Sequence, residues 1–172
     1  VNGPSCYGPS RQLVGQSKEV FSIIGYAANR KGQPVLMADL GTVVHEFNHS
    51  FIKIEGDTKN ALAKSGKTIK SYSAFCMKQQ AYDSWQTILE ESLVRAAEKC
   101  YFIEHGDGKV DKGIRNEMNH GFFWMPELVQ TLRYYESHRK KYPTFTSFYP
   151  EIIRFFDRYV TNMEKEMKKA MK

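Results

Sequence analysis

The stretch GTVVHEFNHSF, residues 41–51, carries two histidines four positions apart and a glutamate beside the first. On an α-helix, residues i and i+4 lie one turn apart on the same face. His45 and His49 can then converge on one ion, with Zn–N bonds of about 2.0–2.1 Å. Glu46 is rotated by about 100° from His45, so it stands beside such an ion rather than on it. A carboxylate there can take a proton from a metal-bound water, whose pKa zinc lowers from about 15.7 to about 7. The expected helix runs over residues 42–54, capped by Asp39 or Thr42 and closed near Gly56. Val44, Phe47, Asn48 and Phe51 share one face of it, His45, His49 and Ile52 an adjoining one, and the apolar flanks place the motif inside a buried helix.

The match is not a common accident. With 5 His among 172 residues and Glu at about one position in thirteen, chance produces H-E-x-x-H in about one such chain in a hundred. The plainer alternative is a pair of ordinary histidines satisfied by hydrogen bonds, with Glu46 paired to a lysine.

Two protein ligands are too few, since catalytic zinc takes three and keeps a fourth position open. The other histidines are His105, His120 and His138, and none sits at the H-x-x-G-x-x-H extension, where Ile52, Lys53 and Glu55 stand. The segment TILEESLVRAAEKCYF (87–102) offers Glu90, Glu91 and Glu98 inside an otherwise apolar helix. A carboxylate buried there needs a partner, and a metal is such a partner. Arg95, one turn after Glu91, is placed to orient it, and the pair Ala96–Ala97 permits close helix approach. Glu90 is the alternative ligand. Hydrolysis also needs a donor for the developing oxyanion, for which His120 in NHGFFW and Tyr135 are the candidates.

Around this motif the chain reads as α+β, predominantly helical, with a small N-terminal β element. Residues 1–18 are Gly-, Pro- and Ser-rich and read as irregular; residues 19–172 read as a single domain. EVFSIIGYA (19–27) and PVLMA (34–38) read as a β-hairpin around the loop ANRKGQ. Residues 57–70 read as a short helix or a connection, residues 74–104 as one long helix, and EHGDGKVDKG (104–113) as a loop without EF-hand spacing. Two more helices are expected over 125–140, with Pro126 in the first turn, and over 149–170. The second carries the stripe Ile152, Phe156, Tyr159, Val160, Met163 and Met167.

Composition narrows the function classes. A chain that is 41% hydrophobic, with 11 Phe and 10 Tyr, can bury a sizeable core. No apolar run reaches the roughly 18–20 residues that span a bilayer. The net charge is +6, and residues 127–172 hold ten Lys/Arg against six Asp/Glu. Acids interleave with those bases, as on a solvated helix face, so nucleic acid is not an expected partner. Cys6, Cys76 and Cys100 have no CxxC spacing and read as three buried reduced thiols, with one pair plus a free thiol as the alternative. The start at Val1 rather than a methionine implies an upstream region.

HExxH followed by a glutamate on a later helix resembles the gluzincin class of zinc metallopeptidases. VVHEFNHSF, EESLVRA, GFFWMPELV and YPTFTSFYPEIIRFF together resemble a bacterial zincin-like family known as the domain of unknown function DUF4932, over roughly residues 20–160. The resemblance implies a zincin-like fold and one zinc ion per chain. It implies His45, His49 and Glu91 as ligands, since the family's glutamate stands directly before the Ser of ESLVRA, and Glu46 as general base. It implies a peptide or protein substrate and, because such proteins are longer and often exported, an extracytoplasmic location. A catalytically silent metal-binding or interaction domain of the same fold is the alternative.

Overall fold

A computed structural model describes residues 6–15, 17–36 and 39–170. Its chain divides into two compact units, residues 1–53 and 54–172.

In the first unit, β1 (Ser10–Gln12) pairs antiparallel with β2 (Lys18–Val20), and Tyr7 bridges Ile23. Pairing thus begins inside the stretch read as irregular. Gly15 takes a left-handed φ of 72° between these two strands, a conformation glycine adopts without strain. The expected hairpin is present only near its turn: the strand read over 19–27 is not continuous, its start pairing with β1 as β2, and its end belongs to β3 (Tyr26–Ala28), which pairs with β4 (Pro34–Leu36) in register Ala27 to Val35. Residues 37 and 38, read as its continuation, lie outside the described residues. The Asn29 carboxamide oxygen accepts from the backbone N–H groups of Lys31 and Gln33, and Gly32 takes φ 74° at the tip.

Helix α1 (Leu40–Asn48) follows, shorter than the expected 42–54. Asp39 is its N-cap, and its carboxylate accepts from the Thr42 N–H at 3.0 Å. The helix closes at His49, and Gly56, expected at its end, instead opens the next helix at φ 52°. Nor is α1 a buried helix. None of its residues is buried, and the Phe47 and Phe51 rings lie tilted against each other, 5.2 Å between centres, while 45% and 56% exposed. Apolar positions three and four residues apart mark a helical face, but they do not say what covers it.

The second unit is all helical among its described residues: α2 (Gly56–Gln79), α3 (Trp85–Glu104), α4 (Val110–Asn119), α5 (Met125–Ser137) and α6 (Phe145–Ala170). The region read as a connection plus the start of a long helix is α2, and the long helix is broken at residues 80–84. The cause of the misreading is visible in the packing. The buried stripe of α2 is Leu62, Ser65, Gly66, Ile69, Ser73 and Met77, half of it small and polar by composition but helical by period. Small residues admit the neighbouring helix: a Cβ on Gly66 would stand 2.4 Å from the Trp85 ring. The Ser84 hydroxyl then caps α3 by accepting from the Thr87 N–H at 3.0 Å.

Of the stretch 104–113 read as a loop, only residues 105–109 are one; residues 110–113 open α4, whose remainder carries no sequence expectation. Pro126 lies in the first turn of α5 as expected. Helix α6 starts four residues earlier than expected because Thr144 and Ser147 exchange side-chain-to-backbone hydrogen bonds, each capping the other's N–H. Of its predicted stripe, Ile152, Phe156 and Val160 are buried, Tyr159 and Met163 half-buried, and the Met167 side chain lies outside the described residues.

Helix α3 sits at the centre of this unit, packing on α2, α4 and α5, while α6 packs on α2 and α5. Leu89, Leu93, Val94, Leu128, Phe148 and Phe156 form the heart of the core. Trp124 donates its indole N–H to the buried Ser92 hydroxyl at 2.9 Å, and that hydroxyl donates to the Ile88 carbonyl. Cys6, Cys76 and Cys100 are all free thiols; burial pushes that of Cys100 up to about 12. Among the described residues no helix is long and apolar enough to cross a membrane.

Candidate metal centre

The i, i+4 spacing on α1 does what it predicts. His45 and His49 present Nε2 to Nε2 at 3.3 Å, with their rings edge-to-face. Two zinc–nitrogen bonds of about 2.05 Å at a tetrahedral angle span about 3.4 Å between the nitrogens. The pair therefore matches one edge of a tetrahedral site. A neutral pair sharing one proton would give a similar distance, so the third donor matters. A ligand atom from each of His45, His49 and Glu91 lies within 4.8 Å of the others, and among the described residues this is the group of three that can hold a metal ion. Both histidines are half-buried and Glu91 is buried. Two imidazoles and a carboxylate are a donor set that zinc takes in catalytic sites.

Glu90 is occupied otherwise. Its Oε1 accepts from the Ile54 N–H at 2.8 Å and from Gln86 Nε2 at 3.2 Å, while Gln86 also donates to the Ile54 carbonyl. It ties α3 to the backbone that leads into α2. Glu98 pairs with Lys99 at 3.0 Å. Glu91, one position after Glu90, is rotated away from both roles.

Around Glu91 lies a set of polar contacts that the sequence disclosed only in part. Arg95 Nε stands 3.6 Å from Glu91 Oε2, as the one-turn spacing suggested. The same oxygen accepts from the Tyr82 hydroxyl at 3.0 Å, and Arg95 Nη2 donates to that hydroxyl at 3.1 Å. Arg95 Nη1 donates to Glu117 Oε2 at 2.7 Å, and Lys99 Nζ lies 3.3 Å from Glu117 Oε1. The guanidinium also lies over the Phe122 ring, 4.8 Å from its centre. Burial is the largest single influence on Arg95 and works against its charge, but Glu117, Tyr82 and Glu91 together outweigh it, and the net effect raises its pKa. Burial, aided by the Glu91 charge, raises that of Tyr82. Neither Tyr82 nor Glu117 was singled out by sequence reasoning. Both stand outside any motif, and their partners are 9 and 22 residues away.

Glu46 follows His45 on α1 and is half-buried; its backbone carbonyl lies against Gly8, where a Cβ would stand 1.9 Å from that oxygen. The two oxyanion-donor candidates both lie in the second unit. His120 is the exposed C-cap of α4, and its carbonyl accepts from Gln80 at 2.7 Å. Tyr135 is buried in α5 against Phe145 and Phe148, under the Arg139 guanidinium. It is a packing residue. A cavity of about 450 Å³ along α5 and α6, lined by Glu127, Tyr134, Arg154 and Arg158 among others, includes none of the three metal donors.

A family described as a domain of unknown function, DUF4932, matches residues 15–155. The chain belongs to this family. The match takes in the histidine motif, Glu91 and the Tyr82–Arg95–Glu117 contacts, as well as all of α2 to α5. No curated protein and no solved structure matches the chain.

Proposed function

We propose that the protein is a zinc-dependent peptidase of the gluzincin type, with a zincin-like fold. The observation that carries this reading is the convergence of His45, His49 and Glu91 donor atoms within 4.8 Å, on the motif that also supplies Glu46. His45, His49 and Glu91 would hold the ion. Bound there, zinc would acidify a water and polarise a peptide carbonyl. Glu46, next to His45 but off the ligand face, takes the proton as water attacks the carbonyl and passes it to the leaving amine. A site serving only to hold the fold would have no use for a carboxylate at this position. The arrangement supports peptide bonds as the substrate class, with the oxyanion donor unassigned among the residues described.

Metal content measured by mass spectrometry on protein purified without chelator tests the centre. About one zinc per chain is expected, lost in Glu91→Ala and kept in Glu90→Ala. Glu46→Gln is expected to keep zinc and to lower peptide turnover by about 10²–10⁴-fold. Full turnover in Glu46→Gln would remove its role. Bound zinc without cleavage of any peptide in a diverse library would instead favour the silent metal-binding domain.

A further inference from the structure

We propose that Tyr82 is a positioning residue of the metal centre: its phenol, with Arg95, holds the Glu91 carboxylate in the orientation in which it serves as a ligand. The inference rests on the zinc reading above and adds a residue that the HExxH motif does not contain.

A glutamate carboxylate sits on a stem with three rotatable bonds, so a ligand glutamate left to itself must be ordered each time a metal binds. Here Oε2 accepts a hydrogen bond from the Tyr82 hydroxyl at 3.0 Å and faces the Arg95 guanidinium, whose Nε stands 3.6 Å away in an ion pair rather than a hydrogen bond. The two holders are fixed to each other by the 3.1 Å bond from Arg95 Nη2 to the phenol oxygen. Arg95 is in turn anchored from α4 by Glu117 at 2.7 Å. Pairing with a carboxylate leaves the phenol no choice of direction, since it must donate to Glu91 while accepting from Arg95.

The backbone aims Tyr82 independently of those contacts. Helix α2 ends with the Tyr82 N–H donating to the Met77 carbonyl at 3.0 Å and the Ala81 N–H to the Lys78 carbonyl at 3.1 Å. This is the Schellman pattern, whose left-handed position is usually glycine. Ala81 holds it at φ 59°, the one non-glycine residue with positive φ among those described. The following residue therefore leaves the helix in a set direction. The Tyr82 ring then packs edge-on to Phe122, with centres 6.3 Å apart. An unfavourable backbone conformation held beside a candidate site is the pattern expected where geometry serves function.

The test compares zinc affinity, by competition with a chromophoric chelator, in wild type, Tyr82→Phe and Arg95→Lys, with the melting temperature of each metal-free protein measured alongside. Tyr82→Phe keeps the ring and its packing, and Arg95→Lys keeps the charge but loses the planar fork. Each is expected to weaken zinc binding by about 10-fold or more, the usual effect of losing a group that orients a ligand. Tyr135→Phe, a buried tyrosine of α5, is expected to bind as wild type does. Cobalt substituted for zinc gives a second readout: its visible absorption is expected to change in Tyr82→Phe. Wild-type zinc affinity and an unchanged cobalt spectrum in Tyr82→Phe would overturn the role of Tyr82 and leave the zinc centre standing. No zinc bound by wild type would overturn both.

Discussion

Asp39 sets where α1 begins, and so the phase in which His45 and His49 leave the helix. Its carboxylate is held below the ordinary range chiefly by the Thr42 N–H it caps. Asp39→Ala is expected to lower stability by about 1 kcal/mol at pH 7. The sign of its pH dependence follows from the depressed pKa. The contribution is present above the unfolded value, about pH 4, and is lost as pH falls through the folded one. Urea midpoints of wild type and Asp39→Ala should therefore differ at pH 7 and approach each other at pH 3. At the same scale, neighbouring glutamates have separate fates. Glu90 binds backbone at Ile54, and Glu91 accepts from Tyr82. The 100° between consecutive helix positions is the whole difference.

At the scale of elements, α2 was the hardest to read and is among the most tightly packed. A stripe in which Ser65, Gly66 and Ser73 alternate with Leu62, Ile69 and Met77 is weak in hydrophobic signal, and KSGK looks like a turn. Yet Gly66 lies under Trp85, with 2.4 Å to a would-be Cβ. Gly66→Ala sets two effects against each other. Alanine improves helix propensity by about 1 kcal/mol, while forcing a methyl into a filled core costs about 1–3 kcal/mol. A backbone close to a bulky, fixed indole leaves little room to give, so a net loss of about 1 kcal/mol is expected, read as a lower urea midpoint. A gain in midpoint would show that Trp85 moves aside freely. Helices α5 and α6 were legible because Leu128, Leu132, Ile152 and Phe156 carry their period in large side chains. Helix α4 was not: its described buried residues are Val110 and Glu117, and a buried glutamate is invisible to a search for apolar periodicity.

For the molecule as a whole, the proposed centre makes metal content a stability variable. Zinc held at about a hundred times its Kd adds about 2.7 kcal/mol to the folded state. At about 2–4 °C per kcal/mol for a chain of this size, chelation is expected to lower the melting temperature by about 5–10 °C. Glu91→Ala should show little or no such drop, and Glu46→Gln should show it in full. Equal melting with and without chelator in all three would count against a bound ion. The sequence by itself determined the features that depend on neighbours along the chain. These are the β3–β4 hairpin with its glycine tip, the Asp39 cap as one of two choices, the convergence of His45 and His49, and the helices opened by Pro126 and striped by Ile152 and Phe156. Such features arise from hydrogen bonds and side-chain spacings within a few residues, which a linear text records directly. Only the tertiary structure decided that Glu90 binds the Ile54 backbone and Glu98 pairs with Lys99, that Tyr82 joins Arg95 at the Glu91 carboxylate, and that Glu117 anchors Arg95 from α4. Those choices depend on which face of α3 meets which neighbour, a matter of packing shapes such as Gly66 against Trp85 that leaves no period or motif in the sequence.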